Sequence, residues 1–213
     1  MVLDFIQRRV FRQGLLNPKF FRNYVRRAAY ILARGDPEKV HELALDYLNR
    51  FEDVCQEVSH KFRLKELFVD IAGKCVMPFG TAAGLDKNGE ALYPLSKLFG
   101  FLEVGTVVVN PREGNKRSRV AVNNKQEVIF NAQGFPSKGL EYFVENIIKY
   151  RERKGTAPLL VSICGIPPEP DKLDTAYREL EKLLDEINPY ADGFVWNPYS
   201  PNTAALSALR NTT

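Results

Sequence analysis

From about residue 68 onward, short apolar runs alternate with segments in which apolar residues recur at helical spacing. This alternation limits the possible folds more than any other feature of the sequence. The runs are VMPFGTAAGL (76–85), LEVGTVVV (102–109), PLLVSICGI (158–166) and ADGFVWNPY (191–199). Between them, apolar residues recur at helical spacing over 92–99, 140–148 and 177–187. Strands that alternate with helices are typical of βα units around a parallel sheet buried on both faces. The pattern predicts an α/β fold with about four parallel strands.

Two further patterns complete the organisation of the chain. The segment RVAVNNKQEVIFN (119–131) predicts a β-hairpin that turns at Asn123-Asn124. Residues 17–53 predict two short amphipathic helices, because Asn17-Pro18 and Asp36-Pro37 are signals for a helix start. We therefore expect a helical domain over residues 1–60 and a βα domain over residues 61–213.

The net charge of +4 is distributed unevenly. Residues 1–35 carry eight Lys and Arg against Asp4 alone, which gives them about +7 and leaves about −3 for the remainder. Basic segments of this kind bind anionic phosphates, of lipid or of nucleic acid. The apolar stripes of the two helices either pack on a neighbouring domain or form an apolar groove at a membrane surface.

Composition and missing motifs exclude several kinds of site. With two histidines, three cysteines at unrelated spacings and no CxxC, neither a metal site nor a disulfide framework is expected. No GxGxxG or Walker A sequence is present. No histidine lies near the predicted strand ends, and paired carboxylates are missing there, which disfavours a Ser-His-Asp triad and glycoside hydrolysis.

Very small or polar residues follow the predicted strands, at the edge where parallel βα folds bind ligands. GTAAGLDKNGE (80–90) places two alanines and a glycine before Lys87. The ends of the other strands and of the hairpin, with the loops after them, carry amides, hydroxyls, one glycine and one aromatic residue: Thr106, Asn131, Gly134, Phe135, Ser162, Asn197, Ser200 and Asn202. Small residues suit the face of a flat heterocycle, and amides with a lysine suit its polar edges. Ordinary turn chemistry and a solvated lysine are the alternative explanation.

Several motifs, taken in order, resemble one family. TAAGLDKNGE, GFLEVGTV, NPREGNKRSRV, FNAQGF and WNPYSPNTAAL resemble the class 2, quinone-linked and membrane-associated dihydroorotate dehydrogenases, and GDPEKVHELAL resembles the second N-terminal helix of that family. The resemblance runs from about residue 35 to residue 210. It implies the first half of a (β/α)8 TIM barrel that binds FMN. The implied reaction is oxidation of dihydroorotate to orotate with quinone as acceptor, in de novo pyrimidine synthesis.

The resemblance also implies roles for individual residues. Ser200 would be the base that takes the C5 proton while hydride passes from C6 to the flavin, and His41 would line the quinone path. The implied flavin contacts are Ala82, Ala83, Gly84, Leu85, Asp86, Thr106, Ser162 and Asn197. The implied substrate contacts are Lys87, Asn131, Ala132, Gln133, Gly134, Phe135, Asn197 and Asn202.

Three positions and the strand count depart from the family pattern. Ala132 stands where Asn-Arg-x-Gly-Phe has its arginine, Val122 replaces an arginine of the hairpin, and Ser162 replaces an asparagine. A full barrel needs eight strands in about 250 residues. The alternatives are therefore a piece of a longer protein, a half barrel completed by a second chain, or a non-catalytic relative that binds membrane or a partner. A flavin oxidoreductase acting on another amide-bearing heterocycle is a further alternative.

The expected location also follows from the resemblance. It implies a peripheral protein on the cytoplasmic face of the inner membrane, or on the mitochondrial inner membrane in a eukaryote. Contact with the membrane is expected through the basic N-terminal helices, and nucleic acid is not an expected partner. No apolar run approaches the roughly 20 residues that span a bilayer.

Overall fold

The computed structural model describes residues 2–123, 125–169 and 172–206. Its N-terminal part is helical, with α1 (Val2–Leu16), α2 (Pro18–Phe20), a π-helical turn (Phe21–Val25), α3 (Arg26–Leu32), α4 (Pro37–Arg50) and α5 (Glu52–Val58). Asn17 and Asp36 act as the predicted N-caps, since their side chains accept main-chain N–H groups of the first turns of α2 and α4. Helix α1 was not predicted as a separate element, although residues 1–60 were expected to form a helical domain.

The βα part carries the expected alternation. Its elements are β1 (Val69–Ile71), β2 (Lys74–Val76), α6 (Leu92–Leu98), β3 (Leu102–Val107), β4 (Val120–Asn123), β5 (Val128–Asn131), α7 (Leu140–Glu152), β6 (Leu159–Ile163), α8 (Leu173–Ile187) and β7 (Gly193–Trp196). Strands β3, β6 and β7 form a parallel sheet in that order, with Val104 opposite Val161 and Val161 opposite Phe194. The α/β fold is confirmed. Strands β4 and β5 form the predicted hairpin. Asn124, which was predicted to be part of its turn, lies outside the described residues.

The run 76–85, predicted as the first parallel strand, does not form one: Val76 ends β2, 77–82 are irregular apart from one bridge, and the chain turns from residue 83. The run meets β3 through an isolated parallel bridge between Gly80 and Phe101, and the N–H of Gly84 donates to the carbonyl of Gly105 at 2.8 Å. The hydroxyl of Thr81 replaces part of a regular ladder, because it donates to the carbonyl of Glu103 at 2.9 Å and accepts the N–H of Glu103 at 3.0 Å. A Cβ at Gly80 would lie 2.4 Å from the Phe101 ring, so the ring occupies the space that a side chain at position 80 would need. The sheet therefore has three regular strands, with this segment beside β3. An antiparallel β1–β2 hairpin, which was not predicted, precedes the segment.

The main core lies between the parallel sheet and helices α6, α7 and α8. Leu102, Phe143, Val161 and Leu183 are each no more than 1% exposed there. Leu45 of α4 joins this core, so the helical part and the βα part share packing. Among the described residues, no helix combines the length and apolar character needed to cross a bilayer.

Candidate functional site

The chain turns at residues 83 and 84 and bends over residues 85–89. The carboxylate of Asp86 is fully buried and accepts the N–H groups of Glu90 and Ala91, each at 2.8 Å. Burial raises the pKa of Asp86, and the two N–H donors oppose that rise. The Asp86 side chain therefore holds the turn, and its implied contact with a flavin stays a prediction.

The small residues that precede Asp86 border an apolar cavity of about 510 Å³. Ala82, Ala83, Gly84 and Leu85 lie on one side of it, and His41 of α4 lies among the residues on the other. Gly84 has φ +101°, a conformation that favours glycine, yet a Cβ there would meet nothing within 4 Å. Backbone conformation therefore requires the glycine, and the space beside it is open to a flat group.

Lys87 lies where three cavities meet. It borders the apolar cavity, a smaller cavity of about 260 Å³ and a polar cleft of about 740 Å³ between α4 and α7. Its Nζ donates to the carbonyl of Gly84 at 3.0 Å. Burial lowers the pKa of Lys87, and the charge of Glu38 opposes this effect. Lys87 is thus a half-buried cation and not a solvated loop lysine.

The cavity of 260 Å³ brings together most of the predicted site residues. The predicted residues that line it are Ala83, Gly84, Lys87, Thr106, Asn131, Gln133, Gly134, Phe135, Asn197, Ser200 and Asn202. Ala82 and Leu85 border the apolar cavity, whereas Asp86, Ala132 and Ser162 belong to the lining of neither. The residues come from four separate stretches of sequence, 83–87, 106, 131–135 and 197–202. The parallel sheet brings the second and the fourth together, and the third follows the hairpin.

A chain of polar side chains joins the carboxyl ends of β3, β6 and β7. The amide of Asn197 donates to the hydroxyl of Thr106 at 3.1 Å, and that hydroxyl lies 2.9 Å from the hydroxyl of Ser162. Ser162 is only 1% exposed, so it supports Thr106 from behind. The side chain of Ser162 therefore orients Thr106 and, through it, Asn197, both of which line the cavity of 260 Å³.

The loop after β7 carries Ser200 and Asn202. The amide of Asn202 donates to the carbonyl of Asn131 at 3.1 Å, which ties this loop to the one after the hairpin. The hydroxyl of Thr203, which is 5% exposed, donates to the Ser200 hydroxyl at 3.5 Å. Sequence reasoning did not identify Thr203, since nothing in its spacing distinguishes it from an ordinary turn residue.

Sequence reasoning also missed the groups that hold the loop after the β4–β5 hairpin and the loop after β7. Arg119, 9% exposed, pairs with Glu38 of α4, and the amide of Asn115 bridges the loops. Ala132 contributes main-chain groups to this arrangement, while its side chain is exposed. Glu38 and Arg119 are 81 residues apart, so no local signal predicts their pairing.

His41 lies on α4 between the apolar cavity and the polar cleft. Burial lowers the pKa of His41, and the positive charge of Lys87 lowers it further. The imidazole is therefore held in its neutral form at neutral pH.

The sequence of the chain is similar to one family of proteins. The family model described as dihydroorotate dehydrogenase matches residues 67–213. The dihydroorotate dehydrogenase (quinone) of Idiomarina loihiensis is 34% identical over 183 residues, which cover 85% of this chain and 53% of that protein. The protein of the same name from Psychrobacter cryohalolentis is 33% identical over 185 residues, covering 83% and 50%.

The chain is also similar to two solved structures. The crystal structure of DHODH from Eimeria tenella in complex with ferulenol is 31% identical with a TM-score of 0.64, and the match covers 82% of this chain and 47% of that one. The ligand-free type of the same protein is 32% identical with a TM-score of 0.58, covering 73% and 46%. The chain spans about half the length of the curated relatives it matches.

Proposed function

The chain belongs to the dihydroorotate dehydrogenase family, and on that premise we propose that it supplies the FMN and substrate sites of an enzyme that oxidises dihydroorotate to orotate with quinone as acceptor. The observation that carries the proposal is the place of Lys87. Its ammonium group lies at the junction of an apolar cavity floored by small residues and a polar cavity rich in amides. A flavin ring and a pyrimidine substrate need these two environments side by side.

The residues present fit the ring of FMN. The alanines and the open Gly84 suit one face of the ring, and the Thr106–Asn197 pair offers hydrogen bonds at an edge. When bound, FMN supplies hydride acceptance. Lys87 would hold a fixed positive charge where negative charge develops.

The amides around the smaller cavity would orient the substrate. Asn131, Asn197 and Asn202 offer donors and acceptors to the amide and carboxylate edges of dihydroorotate. Ser200 would take the proton from C5. A serine is a weak base unless its own proton can move on, and Thr203 at 3.5 Å is the group to which the Ser200 hydroxyl would pass it once both hydroxyls rotate.

The apolar cavity between α4 and the small residues would be the quinone path. Val120 and Ile129 of the hairpin add apolar surface to it. His41 borders the path, and its lowered pKa keeps this position uncharged near pH 7. A quinone-linked activity is also what the names of the relatives state for those proteins.

The N-terminal helices would bring this path to a membrane surface. Val2, Leu3 and Phe5 of α1 are 73%, 68% and 63% exposed, and basic residues follow them along the same helix. An exposed apolar face beside cationic side chains suits an anionic bilayer surface. Co-sedimentation with vesicles containing anionic lipid tests this contact.

The remaining barrel strands would pair with the outer edge of β7. No described strand pairs with that edge, and Trp196 there is 46% exposed. We propose that a second polypeptide segment completes the barrel there, from the same protein or from another chain. Adding the complementary half of a relative should then tighten FMN binding, whereas unchanged FMN affinity would contradict the proposal.

Flavin titration tests the function directly. Trp196 is the single tryptophan of the chain and precedes Asn197, so its fluorescence should be quenched as FMN binds. Dihydroorotate should then bleach the yellow absorbance of the bound flavin in the absence of quinone. No FMN uptake, both alone and with the complementary half, would contradict the proposal.

A serine variant tests the chemical role of Ser200. Ser200→Ala should leave FMN affinity unchanged and slow flavin reduction by about 100-fold or more, as is typical of a lost general base. Ser118→Ala is the control, because Ser118 is exposed and lies outside the three cavities. Equal reduction rates in the two variants would show that Ser200 is not the base.

A further inference from the structure

Asn115, in the loop between β3 and β4, hydrogen-bonds to two loops of the candidate site at once. Its side-chain amide donates to the carbonyl of Ala132 and to the carbonyl of Asn202, each at 2.9 Å. Its main-chain N–H donates to the carbonyl of Gln133 at 2.8 Å. One residue thus joins the loop over 131–135 to the loop over 197–203.

The neighbouring backbone leaves space for this amide. Gly134 has φ +67°, and a Cβ there would lie 2.7 Å from the side-chain amide of Asn115. A side chain at 134 would therefore displace Asn115 as well as strain the backbone. Asn202 also joins the same two loops, through its hydrogen bond to the carbonyl of Asn131.

Arg119 holds the main chain of the Asn115 loop in place. One side of its guanidinium donates to the carbonyls of Glu113 and Asn115, the second at 2.9 Å. The other side forms a bidentate pair with the Glu38 carboxylate of α4, at 2.8 to 3.1 Å. The N–H of Ala132 donates to the carbonyl of Arg119 at 2.8 Å. Hydrogen bonds therefore run from α4 through Arg119 and Asn115 to both loops.

We propose that Asn115 is a positioning residue that sets the separation between the loop carrying Asn131 and the loop carrying Ser200. The ion pair between Arg119 and Glu38 holds the loop that carries Asn115 in a fixed position relative to α4. Asn115 is not among the residues that line the 260 Å³ cavity, so it acts through the loops and does not touch substrate. This inference rests on the proposed function, because it assigns these loops to the edges and the C5 proton of dihydroorotate.

Substitution of Asn115 should weaken the binding of substrate and leave the binding of FMN nearly unchanged. None of the hydrogen bonds described for Asn115 reaches the small residues 82–84 that would contact the flavin. Asn197, the other proposed flavin contact in these loops, is held separately by its hydrogen bonds to Thr106 and to the carbonyl of Ile163. Losing the two side-chain hydrogen bonds should weaken orotate binding about tenfold. The dissociation constant of FMN should stay within about twofold. A variant that merely loosened the fold would weaken both ligands together.

Ligand titration of the full chain, with its complementary half if FMN requires it, provides the first test. Asn115→Ala removes the amide, and Asn115→Asp keeps its size while removing both donors. Asn49→Ala is the matched control, because the Asn49 amide also donates to a main-chain carbonyl, that of Glu90, at 2.9 Å. Both Asn115 variants should weaken orotate and spare FMN, and Asn49→Ala should change neither. Unchanged orotate affinity, or equal weakening of FMN, would overturn the role of Asn115.

Amide hydrogen exchange provides a second test that needs no ligand. Asn115→Ala or Asn115→Asp should accelerate exchange over 131–135 and over 200–206 together, while β3, β6 and β7 keep their protection. Glu38→Gln should reproduce this pattern more weakly. Acceleration in one loop only, or confined to 113–119, would overturn the inference. A wild-type chain that binds neither FMN nor orotate would instead contradict the proposed function, and the exchange pattern would still decide the role of Asn115.

Discussion

Two regions of the molecule use the same amphipathic spacing with opposite results. Helices α7 and α8 bury their apolar stripes against the sheet, where Phe143 is 1% and Leu183 is 0% exposed. Helices α1 and α3, which the structure describes in full, contain no buried residue, and their Phe5 and Ile31 are 63% and 77% exposed. Periodicity creates an apolar face, but only an element packed opposite removes that face from water.

The two regions also differ in how firmly they are attached to the rest of the molecule. Helix α1 is held to α5 by a small cluster in which Phe11 and Leu15 pack on Phe51. The ion pairs beside this cluster, such as Arg12 with Glu57, are exposed and contribute about 0–1 kcal/mol each. The main core of the βα part instead joins buried residues of α6, α7 and α8 with those of β3 and β6. We therefore expect α1 to open locally at a lower free energy than the sheet does.

A pair of phenylalanine truncations gives the largest contrast. Phe143→Ala should lower the free energy of unfolding by about 3–5 kcal/mol, because it leaves a cavity in the main core. Phe5→Ala should change the free energy of unfolding by less than about 0.5 kcal/mol, since its ring is exposed. Urea denaturation measures both, and similar losses would mean that α1 is packed as firmly as α7.

A pair of aspartate truncations tests the turn of the candidate site. Asp86→Ala should lower the free energy of unfolding by about 2–3 kcal/mol, because two buried N–H groups lose their acceptor. Asp70→Ala is the control, since the exposed Asp70 accepts the N–H of Gly73 at 3.1 Å and should cost less than about 1 kcal/mol. Equal losses in denaturation would rule out the buried turn as the reason that Asp86 is there.

Lys87→Met should stabilise the ligand-free protein while abolishing its response to dihydroorotate. At pH 7 the variant should be the more stable protein, because burial lowers the pKa of Lys87 and the folded state bears the cost of a buried cation. Above the folded-state pKa the wild-type lysine loses its proton before the unfolded chain does. The advantage of the variant should therefore shrink as pH rises towards 10.5, the ordinary pKa of lysine.

The pH series of Lys87→Met is measured by thermal or urea denaturation of both proteins from pH 7 to pH 10. Lys97→Met is the matched control, because Lys97 lies on α6 and borders none of the three cavities. An advantage for Lys87→Met that stays constant with pH would show that charge burial is not its cause.

The smallest effect on stability is expected from Phe5→Ser combined with Ile6→Ser. The free energy of unfolding should remain within about 0.5 kcal/mol of the wild type, because both side chains are at least half exposed. Binding to anionic vesicles should fall several-fold, since apolar area at the bilayer interface is lost. Tyr177→Ser, 44% exposed on α8, is the control and should leave vesicle binding unchanged. Unchanged binding of the double variant would remove α1 as the contact.

Local chemistry predicted much of the fold and of the site. The spacing of Leu140, Phe143 and Ile147 predicted α7, and the small residues before Lys87 predicted a ligand face with a turn beside it. The β1–β2 hairpin was missed because its strands have three residues each, too few for a periodic signal. The run 76–85 looked like a strand because it is apolar, but after the bridge between Gly80 and Phe101 the hydroxyl of Thr81 takes the hydrogen bonds with the main chain of Glu103.

The sequence by itself determined the order of the βα units, the hairpin and the residue types available at the strand ends, because these depend on neighbours within a few positions. Only the tertiary structure decided which apolar stripes are buried, and that Glu38 reaches Arg119 across 81 residues. It also decided that Asn115 links Ala132 to Asn202, which is 87 residues away from it. Such contacts depend on how separate elements pack, and packing at long range leaves no periodic mark in the chain.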